Sequence, residues 1–82
     1  MNLKEKVKNV PKKPGVYFFK NKIDKIIYIG KAKILRNRVA SYFNKSNVDF
    51  KSKVMISKAF DVDYLVVNDE VEAMIVEANM IK

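Results

Sequence analysis

The chain has 82 residues, enough for one small domain that buries a little over ~60% of its extended surface. It holds no cysteine and no histidine, which excludes a disulfide framework, a thiolate metal site and an imidazole general base. Seventeen Lys and Arg against nine Asp and Glu leave a net charge of +8, a surplus suited to a polyanionic partner, nucleic acid first, although lysine is also common on any solvated surface. No apolar run reaches the ~18–20 residues of a membrane span, and Met1-Asn2-Leu3-Lys4-Glu5 has no signal-peptide core. The expectation is a cytoplasmic protein with no membrane contact.

Leu3, Val7 and Val10 recur at helical spacing, and Pro11 and Pro14 stop that pattern, so residues 2–10 read as a short amphipathic helix. Two strand-like runs follow, residues 15–20 and 25–30, rich in aromatic and β-branched side chains. Residues 21–24 fit a four-residue hairpin loop. With Lys20 opposite Lys25, Phe19 falls opposite Ile26 and Tyr17 opposite Tyr28, so both tyrosines share one sheet face. Residues 34–43 predict a helix with Leu35, Val39, Tyr42 and Phe43 inward. A polar loop, 44–49, separates it from a helix over 51–60, and 61–67 predicts a third strand. Asn68 or Asp69 then caps a last helix. This order predicts one α+β domain over residues 1–82, a small three-stranded antiparallel sheet flanked by helices.

Within the last helix, Val71, Met74, Ile75, Ala78 and Ile81 form one broad apolar arc, expected to face the core, with Ala73 and Met80 at its edge and Glu72 and Asn79 opposite. Glu77 falls inside the apolar part, where a carboxylate calls for a cation, a buried salt bridge or a helix edge at the surface. Glu70 shares its angle but sits in the first turn, where an acid suits the helix dipole. Arg38 and Tyr42 are an i, i+4 pair at the margin of the Leu35/Val39 stripe. A guanidinium there suits a phosphate in a groove or simply snorkels. Arg36 falls on the solvated face. Gly15 and Gly30 border the first two strands, as strand ends or as points where something comes close to the backbone. No exposed apolar patch is expected.

Pro14-Gly15-Val16-Tyr17, Tyr28-Ile29-Gly30-Lys31-Ala32-Lys33, Leu35-Arg36-Asn37-Arg38-Val39, Ser41-Tyr42-Phe43 and the closing Glu72–Lys82 together resemble the GIY-YIG nuclease family, most closely its excinuclease subgroup. The resemblance runs from Pro11 to Lys82, with Val16 in place of the isoleucine of the family's name. It implies a divalent-metal-dependent endonuclease that hydrolyses a DNA phosphodiester and makes the 3′ incision of bacterial nucleotide excision repair, part of the DNA-damage (SOS) response. The alternative within the same complex is a DNA-binding module without catalysis. The metal implied is Mg²⁺ or Mn²⁺, one ion, with Glu77 as its carboxylate. Tyr28 is the implied general base, with Tyr17 the alternative. Lys31 lowers the cost of ionising a phenol, Arg38 steadies the phosphate, and Tyr17 and Tyr42 orient the reacting groups. Lys31, Lys33, Arg36 and Arg38 are the implied DNA contacts, with Gly30 ending its strand close to the substrate. Damaged double-stranded DNA and the helicase-like component of the excinuclease are the implied partners, the latter through regions outside these residues. The resemblance also implies that a family asparagine lies downstream of Lys82 and that the 82-residue piece is monomeric.

Overall fold

The structure, a computed structural model, describes residues 3–44 and 49–81. In chain order these form α1 (Leu3–Lys8), β1 (Gly15–Lys20), β2 (Ile26–Ala32), α2 (Leu35–Ser41), α3 (Phe50–Lys58), β3 (Asp61–Val66) and α4 (Glu70–Ile81). The strands make one antiparallel sheet in the order β2-β1-β3, so the expected α+β plan is what forms. Most of the expected loop at 44–49 lies outside the described residues. No described helix is long and apolar enough to cross a membrane.

β1 reads as the central strand because apolar side chains occupy both its faces; Val16 and Phe19 are fully buried. The helix starts are set locally. Asp69 Oδ1 accepts the Glu72 N–H at 2.8 Å while the Glu72 carboxylate accepts the Asn68 N–H at 3.2 Å, a reciprocal cap. Asp49 Oδ1 accepts the Ser52 N–H at 2.9 Å and starts α3.

The register differs from the expected one. Tyr17 lies opposite Gly30, Phe19 opposite Tyr28 and Lys20 opposite Ile26, with a bulge between Phe19 and Lys20. The hairpin loop is responsible. Lys25 belongs to it: its carbonyl accepts the Asn21 N–H at 2.9 Å, and Asn21 Oδ1 accepts the N–H groups of Ile23 and Lys25 at 3.1 and 3.0 Å. Asp24 closes the turn in the left-handed region, φ 63°. One longer loop residue and one bulge move the tyrosine pairing by two positions. An even shift preserves the face, so Tyr17 and Tyr28 still share it.

The sheet has two unequal sides. On one, Tyr17, Phe19, Ala32 and Val62 meet Val7 and Val10 of the first helical segment and Leu35 and Val39 of α2. Tyr42, Phe43, Met55, Ile56 and Ala59 pack around them. On the other, Val16, Val67 and Ala73 form a smaller cluster, flanked by Ile29, Val76 and Met80. Here α4 departs from expectation. It packs through Ala73, Val76 and Met80, while Val71, Met74, Ile75, Ala78 and Ile81 lie exposed on its outer side. The reason is size: small Ala73 lets the helix approach the sheet, which the bulkier arc would hold off. An exposed apolar patch therefore exists where none was expected.

Candidate active site

The tyrosine face carries three phenol rings in a triangle. Ring centroids are 6.1 Å apart for Tyr17–Tyr28, 5.9 Å for Tyr17–Tyr42 and 6.1 Å for Tyr28–Tyr42. Tyr17 comes from the central strand, Tyr28 from the edge strand and Tyr42 from the C-cap of α2. The hydroxyls of Tyr17 and Tyr42 are 2.7 Å apart, hydrogen-bonded to each other. Burial pushes the Tyr17 phenol up to about 12, although the Tyr42 hydroxyl and the Arg38 charge pull it down. Burial, then the bond with Tyr17, raises Tyr42 as well. Tyr17 is 2% exposed and Tyr28 41%. One phenol of the three meets solvent broadly.

Gly30 makes this arrangement possible. A Cβ there would run into the tip of the Tyr17 ring, at Cζ and the hydroxyl, so the glycine opposite Tyr17 is the space its ring occupies. The strand does not end at Gly30 but continues through Lys31 and Ala32. What fills the space a side chain would take there is Tyr17. Gly15 is fixed in the same way: a Cβ would meet the Leu65 carbonyl oxygen and would sit 2.6 Å from Leu35 Cδ1.

At the far end of β2 a cleft of about 330 Å³ wraps the sheet edge, lined by Lys31, Lys33, Arg38, Glu70, Val71 and Met74 among others. Lys33 and Arg38 also border a second depression running toward Asn37 and Ser41. Strand alternation places Lys31 on the face opposite Tyr28, toward α4, so it serves the cleft and does not stand beside the Tyr28 hydroxyl. Arg38 is the cation whose field reaches the tyrosines, through Tyr17. Arg36 is half-buried and does not line the cleft: its Nε donates to the Val10 carbonyl at 2.6 Å and ties α2 to the end of the first helical segment.

The carboxylates sort themselves by partner. Asp61 and Asp63 pair with Lys6 and Lys20, Asp24 with Lys20, and Asp49, Asp69 and Glu72 cap helices. Among the described residues, half-buried Glu77 makes no ion pair. It does not line the cleft; Glu70 does, at the same helix angle and about 10 Å nearer the helix start. No group of three or more Asp, Glu, His or Cys able to hold a metal exists among the described residues. That donor set fits one hard cation held by one or two carboxylates with water and phosphate, and does not fit a two-metal centre. Sequence reasoning passed over Glu70, Val71 and Met74 as cleft residues; the seven-residue repeat of Glu70 and Glu77 was the available signal.

Residues 13–82 match the UvrC-like GIY-YIG domain family. The chain belongs to that family. It is 48% identical to UvrABC system protein C of Caldicellulosiruptor saccharolyticus and 51% identical to that of Thermoanaerobacter pseudethanolicus, in both cases over its whole length. It spans about 14% of the length of these relatives. Its fold is that of the GIY-YIG N-terminal endonuclease domain of UvrC from Thermotoga maritima, solved bound to its catalytic divalent cation, magnesium. The two share 43% identity at a TM-score of 0.86, covering 99% of this chain and 90% of that one. A further crystal structure of that domain, carrying an asparagine-to-alanine substitution and also bound to the cation, matches equally at 0.86.

Proposed function

We propose that residues 1–82 form the divalent-metal-dependent endonuclease domain of a longer excision-repair protein, hydrolysing a DNA phosphodiester to make the 3′ incision of bacterial nucleotide excision repair. The observation that carries this reading is the tyrosine triangle, in which one solvent-facing phenol rests on a buried one and a half-buried one bonded to each other. Without histidine or cysteine, a proton acceptor must be a tyrosine, a lysine or a carboxylate. Tyr17, sealed and pushed up to about 12, is poorly placed to give up its proton near neutrality. Tyr28 is the base in this reading. Taking up the role of base near pH 7 costs a free phenol roughly 3–4 kcal/mol, at about 1.4 kcal/mol per unit. The Tyr17–Tyr42 bond and the packed rings fix where the Tyr28 hydroxyl stands, so that orientation offsets part of that cost.

Lys31, Lys33 and Arg38 bring three cations to the cleft, enough to hold a phosphodiester backbone against its own repulsion. The guanidinium of Arg38 matches phosphate oxygens bidentately and meets the charge that grows in the transition state. Arg36, bonded to Val10, serves the fold and is left out of the DNA contacts. Glu77 would hold the Mg²⁺ or Mn²⁺, which supplies Lewis-acid stabilisation of the phosphate when bound. The substrate in this reading is damaged double-stranded DNA in the cytoplasm. The helicase-like component of the excinuclease engages other parts of the protein, and the domain acts as a monomer.

The test is 3′ incision by the full-length protein with its repair partners, for Tyr28→Phe and Glu77→Gln. Each should lose at least about 10²-fold in incision while DNA affinity stays within a few-fold, since neither removes a cationic side chain. Incision retained by both variants would leave the domain as a DNA-binding module.

A further inference from the structure

We propose that the depression on the far side of Arg38 from the cleft seats a second phosphate of the DNA strand, one flanking the bond to be cut, and that Asn37 orients it. The depression holds about 330 Å³ between the end of β2 and α2, lined by Ala32, Lys33, Ile34, Asn37, Arg38 and Ser41. Ala32, Lys33 and Arg38 also line the cleft, so the two share a wall. On α2, Asn37 and Ser41 stand four apart in one row, Leu35 and Tyr42 lie in the next, and Arg38 falls between them. Its guanidinium therefore has the tyrosine triangle on one flank and the depression on the other.

The two sides of that wall differ in charge. The cleft includes the carboxylate of Glu70, whereas no acid lines the depression. What lines it instead is an ammonium, a guanidinium and a carboxamide, from Lys33, Arg38 and Asn37. Among the described residues these three side chains make no ion pair or hydrogen bond within the protein. Ser41 gives its hydroxyl proton to the Arg38 carbonyl at 2.5 Å, so it shapes the wall without adding a donor. Ile34, 39% exposed, supplies an apolar surface beside them. Unspent donors next to hydrocarbon match a phosphodiester with its deoxyribose: the cations hold the phosphate and the amide fixes its direction. A strand carries an anion at every nucleotide, so one phosphate in the cleft brings its neighbour to the shared wall. Naming that neighbour as the ligand rests on the endonuclease reading, which lays the strand in the cleft.

Asn37→Asp tests the seat without harming the fold, because the first turn of α2 holds no acid and a carboxylate there suits the helix dipole. In the full-length protein with its repair partners, this variant should lose at least about tenfold in incision, as a carboxylate repels the phosphate it replaces a contact to. The log–log dependence of its DNA affinity on salt should flatten by about one, the signature of one lost phosphate contact. Asn79→Asp on α4 changes the net charge equally and should stay within about twofold of the unmodified protein in incision. Neutral methylphosphonate links, placed one at a time beside the incision site, then locate the phosphate. At one flanking position the link should slow the unmodified protein at least about fivefold and add nothing to the loss in Asn37→Asp, while elsewhere the two losses multiply. Unchanged incision in Asn37→Asp would overturn the proposal, as would an unchanged salt slope or losses that multiply at every position. If Tyr28→Phe and Glu77→Gln keep incision while Asn37→Asp still flattens the slope, the endonuclease reading falls and the phosphate seat stands.

Discussion

The two sides of the sheet solve different problems with the same strands. The tyrosine side is closed by α1, α2 and α3 around large side chains, and its polar atoms are hydroxyls bonded to each other. The α4 side is thin, held by Val16, Val67 and Ala73, and carries the unpaired acid Glu77 and an apolar stripe facing outward. Phenols need a rigid, dry setting to keep one hydroxyl aimed and the others silent. In the reading proposed above, a carboxylate that is to meet a hard cation needs access, which a thin layer provides. The cleft lies where the two sides meet, at the edge of β2, with Arg38 arriving from one and Glu70 from the other.

Equal truncations on the two sides should break this symmetry most visibly. Phe19→Ala removes a fully buried ring from the tyrosine side and should cost about 3–5 kcal/mol in denaturant unfolding. Ile75→Ala removes a side chain already 57% exposed, and in the 82-residue chain should stay within about 0.5 kcal/mol. Comparable losses at the two sites would show that the outer face of α4 is already packed in this chain.

Gly30→Ala comes next. Its methyl would occupy the place of the Tyr17 hydroxyl, so either the ring or β2 must move. The expected loss is about 1–3 kcal/mol, the range for overpacking a filled interior. The same shift breaks the Tyr17–Tyr42 bond and displaces Tyr28, so incision should fall more than stability alone explains. An alanine variant with wild-type stability and incision would mean the ring has room that the structure denies it.

Much of this was legible in the sequence, and the failures share a physical origin. The three strands, the four helices and the shared tyrosine face all follow from local pattern and parity. The register did not, because Asn21 and Asp24 build a loop whose hydrogen bonds add a residue that hydrophobic spacing cannot show. The arc of α4 was misread because moment arguments reward the largest apolar face, whereas packing here chose the smallest residue, Ala73. Arg36 escaped for a similar reason: a free backbone carbonyl at Val10 is invisible in sequence. That Gly30 makes room for Tyr17 was not legible, since its partner across the sheet depends on the register.

Alkaline pH should sharpen the contrast between sealed and open phenols. Tyr17 is raised to about 12 and Tyr42 is raised too, both chiefly by burial, against about 10 in the unfolded chain. Between those values the folded state holds protons that the unfolded state has lost, so stability is fully present below pH 10 and falls as pH climbs toward 12. At about 1.4 kcal/mol per unit for one group, a loss of about 1–2 kcal/mol by pH 11 is expected. Phenolate absorbance should show Tyr17 and Tyr42 ionising only as the chain unfolds. Stability that holds level from pH 9 to 11 would mean these two hydroxyls are not sealed.

The smallest effect concerns the edge of the sheet away from the cleft, where Lys6 Nζ meets Asp61 Oδ1 at 2.6 Å and Asp63 at 3.6 Å, and Lys20 meets Asp63 at 2.8 Å. Burial pushes the Asp61 carboxyl up, but the Lys6 and Val62 hydrogen bonds outweigh it and hold it below the usual carboxylate range. These pairs sit at the surface, with a quarter to two-fifths of the Lys6, Asp61 and Asp63 side chains exposed, so solvent screens most of their attraction. Lys6→Met keeps the aliphatic stem and removes only the charge, and should cost no more than about 1 kcal/mol. Because Asp61 is depressed in the folded state, its contribution is present above the unfolded carboxylate range near pH 4 and is lost as pH falls through the folded value. Lys6→Met should therefore flatten the acid limb of the stability curve below pH 4 while leaving incision at neutral pH unchanged. A loss of incision would tie α1 to the active site, and the division of labour between the two sides of the sheet would then extend to the edge of the sheet away from the cleft.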